Sequence, residues 1–302
     1  MVVQHLTGFD MSHPYDYYDS LESGQAHAFD AEAAYDFLSK NGDPINDIRL
    51  EHWRGDVDDD AFWDVLEQYR GQNGGFMGGL DPDYTGDIGS IHTTIEAMRI
   101  MFAHQQYEGP HIERTLDFLR ATVLPDGTWQ ELNEVINHPK CPNWYRPAQF
   151  RICETACLAG YALEMGAADL WTGAVRYVRQ TWMQMPFSDT AHPYWAVLLL
   201  LGQSTTSSDR SIVLDAMDNL NVFIRKRKID AYDCSAIVEI LNMLDYPEVD
   251  DMMMRLMDML GAAQDEDGGI RTEYGDGLRA TATFNALMAM ALLMQRGLLV
   301  EG

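Results

Sequence analysis

Gln264-Asp265-Glu266-Asp267-Gly268-Gly269-Ile270 separates two apolar runs, Met252 to Ala263 before it and Ala280 to Met294 after it. The order reads helix, glycine turn, helix. A paired glycine lets the backbone take positive φ and cross tightly from one helix to the next. The acids before it can accept hydrogen bonds from free turn amides. The same unit stands upstream as Gln72-Asn73-Gly74-Gly75-Phe76, between Phe62–Tyr69 and Ile91–Phe102. A fainter copy is Leu124-Pro125-Asp126-Gly127-Thr128-Trp129. One such turn says little, but recurrence at a roughly constant interval predicts stacked helix pairs.

Working outward, apolar and amphipathic segments alternate. Ile91–Gln105, Phe150–Glu164, Pro193–Leu201, Ala231–Leu244 and Ala280–Met294 are apolar. Asp56 to about Arg70, His111–Thr122, Leu170–Met183, Ser211–Ile224 and Val249–Ala262 are amphipathic. The physical solution is a double ring, with apolar helices inside and amphipathic ones outside, their charged stripe in water. The expected fold is all-α, an (α/α)6 toroid of about six helix pairs. No segment shows strand alternation. Asp30 is placed to cap a short helix over Ala31–Ser39, Asn46–Gly55 reads as a connector, and Gln130–Pro147 is a long proline-rich loop of the kind that often carries function. Residues 1–29, with Pro14 and Tyr15-Asp16-Tyr17-Tyr18, read as an arm, and 30–302 as one domain.

The 302 residues carry 21 Lys plus Arg against 47 Asp plus Glu, a net charge of −26. That argues against nucleic acid and anionic membrane as partners, which need basic patches. An acidic shell poor in Lys fits either salt adaptation or an ordinary acidic protein. Met1–Asp10 has no signal-peptide pattern, and no apolar run is read as approaching the roughly 20 residues of a membrane span. Cys141, Cys153, Cys157 and Cys234 lack disulfide-framework spacing, so a reducing cytoplasm is expected.

Two of the repeats resemble a known group. Gln72–Phe76 followed by Ile91-His92-Thr93-Thr94-Ile95-Glu96-Ala97-Met98 resembles the repeat of protein prenyltransferase β subunits. Gln264–Ile270 with Ala280-Thr281-Ala282-Thr283-Phe284-Asn285-Ala286-Leu287-Met288-Ala289-Met290 is similar to the last repeat of squalene–hopene cyclases. The resemblance is to the terpenoid cyclase and protein prenyltransferase superfamily. It implies a substrate cavity within the ring at one end of the inner helices. It is specific for fold and poorly specific for chemistry.

Asp56-Val57-Asp58-Asp59 spells the Asp-x-Asp-Asp motif of class II cyclases, whose middle Asp is a general acid. In the family it opens an inner helix; here it precedes a Gly-Gly turn, so an acidic N-terminus of an outer helix is the competing reading. Asp230-Ala231-Tyr232-Asp233-Cys234 stands where an inner helix should begin, as the family motif does, but Tyr232 replaces the middle Asp. Prenyltransferases have a zinc-binding Asp and Cys two apart there. Here Asp230 and Tyr232 hold those places, Tyr is a poor zinc ligand, and 278–285 contains no His. Asp230 and Asp233 remain an acid pair or an N-cap with its first-turn partner. His92 opens an inner helix, and Glu154 is a carboxylate in an apolar helix, which needs a partner or a role. Cys153 and Cys157 share a helix face, but with His138 and Cys141 they match no standard metal spacing and read as small core residues.

Trp144, Tyr145, Tyr194, Trp195, Tyr274 and Phe284 fall near inner-helix starts or in adjoining loops, where aromatic faces either stabilise a carbocation or fill the core. Together with Tyr232 and Cys234 they form the expected substrate lining. The Met-rich stretch Met252–Met259 reads as packing, and no nucleotide, phosphate-loop or Ser/His/Asp motif stands out. The sequence thus points to a terpenoid-cyclase-like enzyme, a lyase or isomerase acting on an isoprenoid or similar hydrophobic molecule. Catalysis would be cofactor-free and metal-free acid–base chemistry in a central apolar cavity. Asp230 or Asp233 would be the acid, with His92 or Glu154 as base or orienter, and Asp56, Asp58 and Asp59 the alternative acid motif. Two other classes stay open: a prenyltransferase-β-like subunit needing a partner and zinc, and a non-catalytic binding module packed shut by its side chains.

Overall fold

The computed structural model describes residues 27–81, 84–145, 151–184 and 188–299. The aromatic cluster Tyr15–Tyr18, the arm up to 26, the side chain of Trp144, and Pro147 and Phe150 lie outside the described residues. Among the described residues the chain is all-α, with isolated bridges but no strand. Its helices are α1 (Ala31–Asn41), α2 (Pro44–Arg54), α3 (Asp59–Leu66), α4 (Ile91–Ala103), α5 (Pro110–Thr122), α6 (Asn133–Ile136), α7 (Arg151–Glu164), α8 (Ala168–Trp182), α9 (His192–Leu201), α10 (Ser207–Arg225), α11 (Ala231–Asn242), α12 (Val249–Ala263) and α13 (Arg279–Gln295).

The three glycine turns are one structure repeated. Gly74, Gly127 and Gly268 take φ of 91°, 83° and 89°, a region costly for residues with a Cβ. Each donates its amide three residues back, to the carbonyls of Gly71, Leu124 and Asp265. The amides of those same three residues donate forward to the carbonyls of Gly75, Thr128 and Gly269. The residue that leaves the turn is then stitched to the next helix. Phe76, Trp129 and Ile270 donate their amides to the hydroxyls of Thr94, Thr155 and Thr283 at 3.0, 3.2 and 2.9 Å. The faint copy around Trp129 is therefore a full member of the series.

The stretch read as a connector, Asn46–Gly55, is instead most of helix α2. Its start signal is Asp43 followed by Pro44: the Asp43 carboxylate accepts from the amides of Ile45 and Asn46, and proline suits the first helical position. Of its apolar residues only Ile45 and Ile48 are buried, sharing one face with Asn46 and Arg49, too sparse a stripe for the periodicity to register. The loop 130–147 likewise contains the one-turn helix α6 and a 3-10 turn at Asn143–Tyr145.

α4 packs on α7, α7 on α9, α9 on α11, α11 on α13, and α13 on α2. His52 of α2 meets His104 at the end of α4 at 3.0 Å. These contacts link six helices in succession. α3 packs on α2, α8 on α7, α10 on α9, α12 on α11 and α1 on α13. α5 is tied in by the Trp129 indole, which donates to the Leu119 carbonyl at 3.1 Å. The segment Asp276–Gln295 is 20 residues long with mean hydropathy 1.3, so by length and composition it meets the test for a membrane span, contrary to the reading of the sequence. Here it is a core helix, with 61% of its apolar window buried against α1, α2, α11 and α12.

Candidate functional site

The first turns of α4, α7, α9 and α11 meet, and their side chains form two histidine–carboxylate pairs. His92 Nε2 lies 2.9 Å from Glu154 Oε1, and the His92 ring stacks on Tyr145 at 4.1 Å. His192 Nε2 lies 3.4 Å from Asp233 Oδ2, and Asp233 also accepts from the Tyr274 hydroxyl at 2.8 Å. Tyr232 crosses to α4 and donates to Glu96 Oε2 at 2.6 Å. Tyr145 is fixed by its own bond to Asp81 Oδ2 at 2.6 Å. Exposure is slight: Glu154 is 4% exposed, Asp230 2% and Asp233 8%.

Asp230 is the N-cap of α11. Its Oδ1 accepts from the Tyr232 amide at 2.8 Å and the Thr272 hydroxyl at 2.7 Å, and its Oδ2 accepts from the Glu273 amide at 2.8 Å. Burial and the nearby Asp233 charge outweigh these donors and raise its pKa to about 6. Asp233 goes the other way. Burial would raise it, but the charge and hydrogen bond of His192, with Tyr274, bring it below the usual carboxylate value. Burial opposes protonation of both histidines; the hydrogen bond and charge of Glu154 override this at His92, and the charge and hydrogen bond of Asp233 override it at His192. Two neighbouring carboxyls with opposed shifts divide acid from conjugate base at one pH.

Glu131, from the loop after the second glycine turn, caps α4 by accepting from the amides of Ile91 and His92 at 3.1 and 3.3 Å. Deeper in, Arg99 of α4 contacts Glu239 at 3.3 Å and the Ser235 hydroxyl at 3.0 Å, both on α11. Arg49 of α2 donates to Asn285 Oδ1 at 2.7 Å and lies 4.2 Å over the Phe284 ring. Between α2, α4 and α13 is a cavity of about 10 Å³, which is room for one water. The interior is therefore charged as well as apolar.

The structure brings together Asp230, Asp233, Tyr232, His92, Glu154, Tyr145 and Tyr274 of the expected residues. Cys234 is fully buried beside them on α11. Trp195 packs near His192 at 5.9 Å, whereas Tyr194 turns toward Trp182 and Phe223. Phe284 lies with Arg49 and His104. Asp56, Asp58 and Asp59 are exposed at the start of α3. There Asp58 caps the helix, Asp56 pairs with Arg54 at 3.1 Å and Asp59 with His52 at 2.8 Å. His192, Glu96, Arg99 and Glu239 escaped the sequence reading. The argument made for Glu154, a charge inside an apolar helix, applies equally to the last three. Among the described residues no three His, Cys, Asp or Glu side chains are grouped to hold a metal ion.

Against known proteins, no family model and no curated sequence matches the chain. Solved structures do. The chain aligns with the type II terpene cyclase MstE from Scytonema in complex with merosterolic acid A as product, at TM-score 0.55 and 12% identity, over 88% of this chain and 96% of that one. The same cyclase in complex with geranylgeranyl dihydroxybenzoate as substrate gives TM-score 0.54 and 13% identity over 87% and 96%. Its apo form gives 0.54 and 13% over 87% and 98%. This chain has the fold of the type II terpene cyclases. At such identity the likeness concerns the fold alone, and the terpenoid-cyclase-like superfamily suggested by the repeats agrees with it.

Proposed function

We propose that this chain is an acid–base enzyme on an (α/α)6 toroid, cyclising or isomerising an isoprenoid or similar hydrophobic small molecule where the interior helices begin. The toroid reading rests on the packing order: six interior helices in succession, the last returning to the first, five of them with a second helix packed alongside. The function rests above all on the opposed pair Asp230 and Asp233 at the start of α11. Asp230, the protonated member below about pH 6, is the general acid. Asp233, His192 and Tyr274 form the charged partner that keeps the pair split. Glu154, paired with the His92 imidazolium that it also orients, takes the proton from the carbocation, and Tyr145, Tyr232 and Tyr274 present aromatic faces to the charge as it moves. The bound ligands of the structural neighbours support a prenylated substrate class.

The test is turnover of a panel of linear prenylated alcohols, acids and phenols, read by mass spectrometry. A positioned general acid contributes about 100- to 10,000-fold. Asp230→Asn should lose turnover by that factor, and the rate should fall as pH rises through about 6. If Asp230→Asn and Asp233→Asn both keep full turnover of an identified substrate, the assignment is wrong.

A further inference from the structure

The packing order sets α4 and α11 opposite each other. In the succession α4, α7, α9, α11, α13, α2 they stand three steps apart in either direction, so a contact between them crosses the axis of the ring. Two layers of side chains do so. In the upper layer Tyr232, in the first turn of α11, reaches Glu96 in the second turn of α4, its hydroxyl donating to Oε2 at 2.6 Å. In the lower layer Arg99 of α4 lies 3.3 Å from Glu239 Oε2 and donates to the Ser235 hydroxyl at 3.0 Å. The Arg99 guanidinium carbon is 5.3 Å from the centre of the Tyr232 ring, so the layers are stacked. Tyr232, Arg99, Ser235 and Glu239 are all buried. The cavity beyond, lined by Glu96, Arg99 and Arg49, is about 10 Å³, room for a water and not for a hydrocarbon chain.

A prenyl chain that enters beside Asp230 meets these layers in turn. Passing the lower one would part Arg99 from Glu239 and Glu96, and a buried charge stripped of its partner is strongly destabilising. Passing the upper one would take the Tyr232 hydroxyl from Glu96. The chain therefore ends on the Tyr232 ring, beside the acid, since the Tyr232 amide donates to Asp230 Oδ1 at 2.8 Å. We propose that Tyr232 is the residue that sets the register of the substrate: it arrests the tail of the prenyl chain with its terminal double bond at Asp230. This rests on the reading of Asp230 as the general acid. In that step the electron pair of the double bond takes the Asp230 proton as a new C–H bond, leaving a tertiary carbocation and the Asp230 carboxylate; the proton later lost from carbon goes to Glu154. Tyr232→Ala removes a ring about as bulky as one isoprene unit. The tail then sinks by one unit, and the acid meets the next double bond along the chain.

The test uses the full chain in heavy water, with geranyl, farnesyl and geranylgeranyl alcohols as substrates and the deuterium located by mass-spectrometric fragmentation. The unaltered chain and Tyr232→Phe, which keeps the ring, should place deuterium in the terminal unit. In Tyr232→Ala the ratio of deuterium in the next unit to that in the terminal unit should rise by about tenfold or more, since a single misfitting methylene is already worth about 10- to 200-fold. Deuterium in the terminal unit in all three proteins overturns the proposal and leaves Asp230 as the acid. No turnover of any alcohol by the unaltered chain sinks the proposed function and this register with it. Should Tyr232→Ala fail to fold or to turn over, a farnesyl probe with a diazirine at its tail, irradiated on the unaltered chain, decides. Label around His92, Tyr145, Tyr232 and Tyr274 upholds the floor; label on Ile100 or Asn285, which line the cavity beyond Arg99, or anywhere else refutes it.

Discussion

His104 offers the sharpest test of the interior electrostatics. It follows α4, is 6% exposed, and stacks on Phe284 with ring centroids 5.9 Å apart. Its Nδ1 meets His52 Nδ1 at 3.0 Å, while His52 Nε2 meets Asp59 Oδ1 at 2.8 Å. The Asp59 carboxylate can only accept, so His52 carries its proton on Nε2 and its Nδ1 must accept from His104. His104 Nε2 is then a bare lone pair with no partner among the described residues. Burial, with the charge of Arg49 also opposing, lowers the His104 pKa from 6.5 to about 2. The sign follows directly. Below pH 6.5 the unfolded chain takes up a proton that the folded protein refuses until about pH 2, so stability is intact above 6.5 and drains away as pH falls between the two. At about 1.4 kcal/mol per pH unit, His104 alone removes about 2 kcal/mol between pH 7 and pH 5. His104→Asn keeps an N–H donor toward His52 and does not titrate. Urea unfolding at pH 7 and pH 5 should therefore show the unaltered protein losing about 2 kcal/mol more than the variant. Equal losses would mean that His104 is protonated in the folded protein and that the hydrogen-bond assignment is wrong.

Three further outcomes are expected. Gly268→Ala should destabilise by about 3 kcal/mol or more in urea unfolding, because φ of 89° strains any Cβ and the added atom would lie 2.0 Å from the Ala33 carbonyl oxygen of α1. Tyr232→Phe should cost about 1–3 kcal/mol by leaving Glu96 without its 2.6 Å donor, visible as a lower Tm. In Glu154→Gln, the His92 ring should titrate at lower pH by NMR than in the unaltered protein, since the raised pKa comes from the Glu154 hydrogen bond and charge working against burial; an unchanged midpoint would remove Glu154 as its orienter.

Much of this was legible in the residues. The glycine turns at Gly74, Gly127 and Gly268 announced the repeat, because positive φ and a following apolar run leave few alternatives. Most helix bounds shifted by only a few residues, though α10 opens four residues earlier than Ser211. α2 was missed because its sequence, Pro-Ile-Asn-Asp-Ile-Arg-Leu-Glu-His-Trp-Arg, is mostly polar, and several of its polar groups are satisfied inside the protein rather than by water. The first-turn positions of Asp230 and His92 were inferable from where α11 and α4 begin. Their partners were not. That His192 would face Asp233, or that Tyr232 would reach Glu96, depends on which helices neighbour each other, and one sequence does not reveal that.

The threonine hydroxyls that receive Phe76, Trp129 and Ile270 carry a consequence for how such a protein can change. Two of these threonines also hold their own helix: Thr94 donates to Ser90 O at 2.6 Å and Thr283 to Arg279 O at 2.7 Å. The clamps sit one step behind the side chains that could touch a ligand, and they ask nothing of those side chains. Residues such as His92 and Glu154 can therefore be exchanged while the scaffold keeps its registration. A lineage built this way is free to try new reactions without first relearning how to fold.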